Sequence, residues 1–161
     1  DYCMKKGIPK HNPLTSYRLN EFEKNCSGKH GTVGAVAIDK RGLVVAGTST
    51  GGVGLETPGR VSDSPTVAGT YASKKSGVSC TGIGEQITQQ AVAAKIVTRV
   101  EDGMKLGKAV QKTILEANKF NYYFGLISLD SDGNIEVGKT KSISKLYYSF
   151  CDGDRIRSFL D

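Results

Sequence analysis

Histidine is nearly missing from this sequence. His11 and His30 are the two present, and both precede residue 32. A Ser-His-Asp or Cys-His machinery therefore has little to work with. The four cysteines, at positions 3, 26, 80 and 151, form no CxxC pair. A structural zinc site would lack both its sulfur spacing and its imidazoles, so no metal is expected. No run reaches the roughly 18 apolar residues of a membrane helix. No GxGxxG follows a strand-like segment and no GxxxxGK[ST] loop occurs, which leaves a nucleotide phosphate without a cradle. Internal repeats are absent. The opening stretch "DYCMKKGIPKHNP" has basic residues but no apolar core behind them, unlike a signal peptide. Its start without methionine is the expectation for a processed chain or a fragment. Reduced thiols and a cytoplasmic location are the corresponding defaults. In that setting the Asn25-Cys26-Ser27 triplet is not a glycosylation site.

The net charge of +6 raises the question of nucleic acid. The basic residues are scattered, in runs no longer than pairs such as Lys5-Lys6 and Lys74-Lys75, and no stripe of them alternates with aromatics. Nucleic acid is therefore not an expected partner. Such a module would show salt-sensitive binding to oligonucleotides.

With 161 residues, 38% of them hydrophobic and 24% charged, the chain is of the size and balance of one globular domain with a sizeable core. Residues 1–31 are polar and irregular. A short helix is expected over "SYRLNEFEKN", with Ser16 as its N-cap, and the rest of this stretch reads as a linker. The pattern changes at Thr32. "TVGAVAID", the turn "DKRG" and "LVVAGTST" read as a β-hairpin. The runs are nearly continuous rather than alternating, which predicts strands covered on both faces. Residues 51–76 are rich in Gly, Pro, Ser and Thr and read as a long functional loop. "GVSCTG" is a third strand.

One helix is predicted over "EQITQQAVAAKIVTRVEDG", with Ile87, Ala91, Ala94 and Val97 on one face and Gly103 as its C′ residue. A second covers "KLGKAVQKTILEANKF", with Leu106, Ala109, Val110, Ile114 and Ala117 as its apolar stripe. "YYFGLISLD", "SDGN" and "IEVGKT" form another hairpin, and "KLYYSFC" a last strand. Helices gathered between antiparallel hairpins point to a layered α/β sandwich (α+β), not a doubly wound parallel sheet.

Four short segments stand out: "GTVGAVAID", "TSTGG", "PGRVSDSP" and "SCTGIGE". In this order they resemble the plant-type asparaginase and isoaspartyl peptidase family, N-terminal-nucleophile hydrolases related to glycosylasparaginase and taspase. The resemblance is dense from His30 to Glu85 and continues through both helices and "FGLISLDSDGNI". It implies part of an αββα sandwich, made as a precursor that cuts itself at Gly31–Thr32. Residues 1–31 would then be the tail of the first subunit, and 32–161 the nucleophile-bearing second subunit. The partners implied are the missing first-subunit segment, a small-molecule substrate (L-asparagine or a β-aspartyl dipeptide) and a second copy, since the family assembles as dimers of two-chain protomers. No cofactor is implied, and the family's sodium loop lies in the first subunit.

Taken alone, Thr32 is a β-branched residue opening a strand. At a free N-terminus it would carry its own base, because an α-amine titrates near pH ~8 and is partly neutral at pH 7. The resemblance gives Thr50 the role of positioning that hydroxyl. It gives Arg60 and Asp63 the α-carboxylate and α-amino group of an aspartyl substrate. The bland alternative for this pair is a surface ion pair. The resemblance also assigns the Thr81 hydroxyl and the Gly82 N–H to an oxyanion hole, and Gly84 to backbone contact with the substrate ammonium. Cys80, without a histidine partner, reads as structural. "TSTGG" favours this branch over glycosylasparaginase, where Asn commonly replaces one Gly, and over taspase, which differs at the first Thr. Ser62 stands where the family usually has Gly, and "TVAGTYA" is one residue shorter than usual. Two classes of function remain open at this stage: an amidohydrolase, or an uncut, shortened non-catalytic relative that binds aspartyl ligands.

Overall fold

The computed structural model describes residues 5–7, 16, 20, 31–52, 56, 57 and 59–160. Of the helix expected over 16–25, only Ser16 and Asn20 fall within the described residues, and both are helical. Cys3, Cys26 and both histidines lie outside them.

The first hairpin is where the sequence places it. Strands β1 (Thr32–Ile38) and β2 (Val44–Thr50) pair antiparallel, with Thr32 opposite Thr50. The turn is closed by Asp39, whose Oδ1 accepts from the N–H groups of Arg41 (2.8 Å) and Leu43 (2.9 Å), while Gly42 takes φ +81°. Within this chain the two strands are covered on one face only. Exposure alternates along each, and Val33 (73% exposed) and Val45 (51%) face outward. Small residues on both faces (Gly34, Ala35, Ala37, Ala46, Gly47) hide the alternation in the sequence, because alanine and glycine fit either environment.

Strands β3 (Thr70–Ala72), β4 (Ser76–Gly82), β5 (Phe124–Asp130) and β6 (Ile135–Lys139) form an antiparallel sheet in that order. Strand β3, inside the long loop, had no sequence signal beyond "TYA". The last pair, β7 (Tyr147–Cys151) and β8 (Ile156–Leu160), is a hairpin rather than a single final strand. Its turn carries the Asp152-Gly153 dipeptide, with Gly153 at φ +103°, a hairpin signal.

The expected first helix is two. Helix α1 (Gly84–Gln90) ends at Ala91, which adopts φ 48°, ψ 48°, and α2 (Val92–Glu101) starts after it. The reason lies in the neighbouring loop. The carbonyls of Ala68 and Val67 accept from the N–H groups of Ala93 (2.8 Å) and Ala94 (3.0 Å). They satisfy donors at the start of α2 that have no intrahelical partner. The break rotates the core face to Val92, Ala93, Ile96, Val97 and Val100, and leaves Ala91 exposed. The far end follows expectation. Gly103 N–H donates to Val100 O (3.0 Å) and Met104 N–H to Arg99 O (2.9 Å), a Schellman stop with Gly103 at φ +95°. Helix α3 (Leu106–Asn118) buries Leu106, Ala109, Val110, Thr113 and Ala117.

The described residues thus form three layers of the expected α/β (α+β) class, with every strand pair antiparallel. Helices α2 and α3 pack on one face of the four-stranded sheet, and the β1–β2 hairpin on the other. The core between helices and sheet holds Val78, Cys80, Ile96, Val97, Phe124 and Leu126. Close approach of hairpin and sheet needs glycine. A Cβ on Gly34 would strike the Ser79 side chain, and one on Gly77 would lie 2.9 Å from Val36 Cγ1 and 3.0 Å from Val44 Cγ1. The Thr48 and Ser79 hydroxyls are hydrogen-bonded at 2.6 Å, and Thr70 Oγ1 donates to Thr48 Oγ1. This hydroxyl chain fixes the hairpin, and with it Thr32 and Thr50, to the sheet beneath.

Candidate active site

Because Thr32 and Thr50 are a register pair, their side chains lie on the same face of the hairpin. Thr32 Oγ1 donates to Thr50 Oγ1 at 3.3 Å, and Thr50 Oγ1 also accepts from Gly52 N–H at 3.1 Å. Gly52, at φ +79°, turns the chain immediately after the strand. Thr32 and Thr81 line one open cleft of about 500 Å³, together with Ser79, Leu146 and residues of the β7–β8 hairpin.

Thr81 and Gly82 close β4. Gly82 takes φ +145°, and a Cβ there would run into the Tyr123 carbonyl, so only glycine fits this exit from the strand. Ile83 N–H then donates to Tyr123 O at 2.9 Å, and Gly84 opens α1. The strand-to-helix turn leaves first-turn N–H groups without intrahelical partners.

Gly84 is the meeting point of the second group. A Cβ built on it would lie 2.8 Å from Asp63 Oδ1, 3.0 Å from Ser62 Oγ and 3.2 Å from Arg60 Nη2. Arg60, Asp63 and Gly84 are therefore brought to one spot. They are not a surface ion pair. Asp63 is buried (4% exposed), with Ser62 Oγ donating to its Oδ1 at 2.8 Å. Its Oδ2 has no hydrogen-bond partner among the described residues. Arg60 instead pairs with two glutamates. Its Nε donates to Glu85 Oε1 at 2.7 Å and its Nη1 to Glu56 Oε1. The Glu85 hydrogen bond raises the guanidinium further above its ordinary value, and the Arg60 guanidinium holds the Glu85 carboxyl below the usual range.

Neither glutamate stands out in the sequence as a site residue. Glu56 to Arg60 is an opposite-charge pair four apart, but that spacing has meaning on a helix, and this stretch is loop. Glu85 is visible only as an acidic residue in the first turn of α1. Aromatic residues of the C-terminal hairpin, Tyr147, Tyr148 and Phe159, reach the Thr32 cleft from far along the chain, with no local signal. Gly31, the other half of the expected scission site, is exposed and precedes β1 directly. Cys80 is buried (2% exposed), and burial pushes its thiol well above the usual range, as for an unreactive core cysteine. No group of three or more His, Cys, Asp or Glu among the described residues could hold a metal ion. No helix there is long and apolar enough to cross a membrane.

Residues 5–159 match the family model described as asparaginase. An isoaspartyl peptidase/L-asparaginase of Synechocystis sp. is 42% identical over 159 residues, covering 87% of this chain and 48% of that protein. One from Nostoc sp. is 41% identical, covering 96% and 54%. A plant-type L-asparaginase of Pyrococcus horikoshii is 37% identical, covering 88% and 54%. The chain spans about half the length of the curated relatives it matches. With the Thr32–Thr50 pair and the convergence on Gly84 in the same fold, this chain belongs to the asparaginase family.

Proposed function

We propose that this chain carries the nucleophile half of an amidohydrolase that cleaves the side-chain amide of L-asparagine or the isopeptide bond of β-aspartyl dipeptides. The observation that carries the reading is the Thr32–Thr50 hydroxyl contact at 3.3 Å; Thr32 also lines a cleft with Thr81. In the continuous chain the Thr32 nitrogen is bound to Gly31 and cannot act as a base. Scission of Gly31–Thr32 would free it.

The released amine takes the Thr32 hydroxyl proton, directly or through water, as Oγ1 attacks the substrate's side-chain carbonyl. The Thr81 hydroxyl and Gly82 N–H stabilise the oxyanion. Loss of one such donor typically costs about 10²–10³ in turnover. Collapse breaks the C–N bond, and the ammonium of Thr32 gives its proton to the leaving ammonia or amine. A β-aspartyl ester on Oγ1 remains. Water, deprotonated by the same amine, hydrolyses the ester and releases aspartate. Arg60 takes the substrate's α-carboxylate. Asp63, with backbone contact from Gly84, takes its ammonium, since a planar guanidinium suits a carboxylate and a carboxylate suits an ammonium. The relatives' printed names, isoaspartyl peptidase/L-asparaginase and plant-type L-asparaginase, support this substrate class. A first-subunit segment completes the sandwich, and two such protomers pair.

The test is intact mass with N-terminal sequencing, alongside aspartate release from asparagine and from a β-aspartyl dipeptide. Loss of residues 1–31 with aspartate release is the expected result. A permanently intact chain that binds aspartate without hydrolysing either substrate would assign it instead as a non-catalytic relative.

A further inference from the structure

Bidentate capture of a carboxylate by arginine needs two N–H groups on one edge of the guanidinium. In Arg60, Nε is taken by Glu85 and Nη1 by Glu56, which leaves Nη2 facing Gly84. The Glu85 contact lies on the outer side, where that side chain is 65% exposed. The Glu56 contact is inward. Side-chain exposure is 25% for Glu56 and 17% for Arg60. The Glu56 carboxylate also fills the space beside Gly52, where a Cβ would come within 2.6 Å of its Cδ. Gly52 N–H is in turn held by Thr50, the partner of Thr32. Glu56 thus places a carboxylate between the guanidinium and the end of the nucleophile hairpin, where the proposed clamp would hold a substrate.

We infer that Glu56 is a specificity-determining residue: a tethered carboxylate that occupies the Arg60 edge and must be displaced by any substrate offering a free α-carboxylate. The inference rests on the assignment of Arg60 as the α-carboxylate clamp. Glu56, Glu85 and Asp63 put three carboxylates around one guanidinium, so a further carboxylate enters only by exchange. A ligand with an ammonium but no α-carboxylate bypasses the exchange. Ser62, which already donates to Asp63, holds the other half of the clamp in the same internally satisfied state.

The experiment compares the full-length protein with Glu56→Gln by calorimetry, using two probes. L-Aspartate carries the α-carboxylate. β-Alanine keeps the ammonium and the distal carboxylate but lacks it. If the tether holds Arg60 about nine-tenths of the time, its removal lowers the L-aspartate Kd about tenfold and leaves the β-alanine Kd unchanged. Glu56→Ala checks the result with no side-chain amide present, and thermal melting confirms that both variants are folded. An equal change for both probes, or an L-aspartate Kd within twofold of wild type, overturns the inference while the proposed function stands. Absence of L-aspartate binding in all three proteins, with no hydrolysis of either substrate, overturns both.

Discussion

Gly84→Ala probes the convergence of Arg60, Asp63 and Gly84 with a single methyl group. Gly84 does not have a left-handed φ, so the backbone accepts alanine. At a helix start the substitution even gains up to about 1 kcal/mol of propensity. The new Cβ would meet Asp63 Oδ1 at 2.8 Å, Ser62 Oγ at 3.0 Å and Arg60 Nη2 at 3.2 Å, each short of ordinary contact by roughly 0.3–0.7 Å. Asp63 is buried and hydrogen-bonded to Ser62, so it cannot swing away. Overpacking of this kind costs about 1–3 kcal/mol. Set against the propensity gain, the expected net loss of stability is about 0–3 kcal/mol, and the protein stays folded. Ligand affinity falls much further, because the methyl sits between the two groups proposed to hold an aspartyl ligand. Loss of one charge-assisted contact there corresponds to about 10²-fold in Kd. Urea denaturation reads the first quantity and titration with L-aspartate the second. A folded G84A protein that binds L-aspartate within twofold of wild type would refute the placement of the ligand between Arg60 and Asp63.

Three further perturbations test other links. Thr50→Val keeps shape but removes the hydroxyl that accepts from Thr32 and Gly52. It should lower kcat by about tenfold or more with KM little changed, and a large rise in KM alone would contradict a positioning role. Glu116 accepts from Arg99 Nη2 at 2.7 and 2.8 Å, and this guanidinium holds its carboxyl below the usual range. The lowered value means the pair stabilises fully above the ordinary glutamate pKa and loses its effect as pH falls through the lowered one. Glu116→Gln should therefore cost about 1 kcal/mol at pH 7, a cost that shrinks as pH falls through the lowered carboxyl value; a pH-independent difference in urea midpoints would count against the ion pair. Ala91→Gly relieves a left-handed alanine, worth about 1–2 kcal/mol, against an unfolded-state cost of about 0.5–1 kcal/mol. A net gain near 0.5–1 kcal/mol is expected, and a lower melting temperature would show that the break between α1 and α2 is not where strain sits.

Much of the fold was legible locally. Apolar runs bounded by Asp-, Gly- and Asn-rich turns marked β1, β2, β4, β5 and β6, and the Gly103 stop was marked by a glycine after a periodic stretch. These signals persist because each depends on neighbours within a few residues. The break at Ala91 was not legible, because the periodicity runs through it and the cause, the carbonyls of Val67 and Ala68, lies over twenty residues earlier. The exposed outer face of the first hairpin was hidden because alanine and glycine carry no strong preference for either side. Strand β3 is too short to show a period, and β8 is signalled only by the Asp152-Gly153 dipeptide before it.

The same division holds at the site. The resemblance of four short segments to the asparaginase family marked out Thr32, Thr50, Arg60, Asp63, Thr81, Gly82 and Gly84 as a set, and hydroxyls, a guanidinium, a carboxylate and glycine-rich backbone suit the chemistry it implies. The sequence by itself determined which groups are present, and that the threonine after Gly31 begins a strand. Only the tertiary structure decided who touches whom. Cross-strand register brought Thr32 to Thr50, the strand-to-helix turn brought Gly84 against Asp63, and the loop fold gave Arg60 to Glu56 and Glu85 rather than to Asp63. Such partners are chosen by packing between segments far apart in the chain, a choice that nearest-neighbour preferences do not contain.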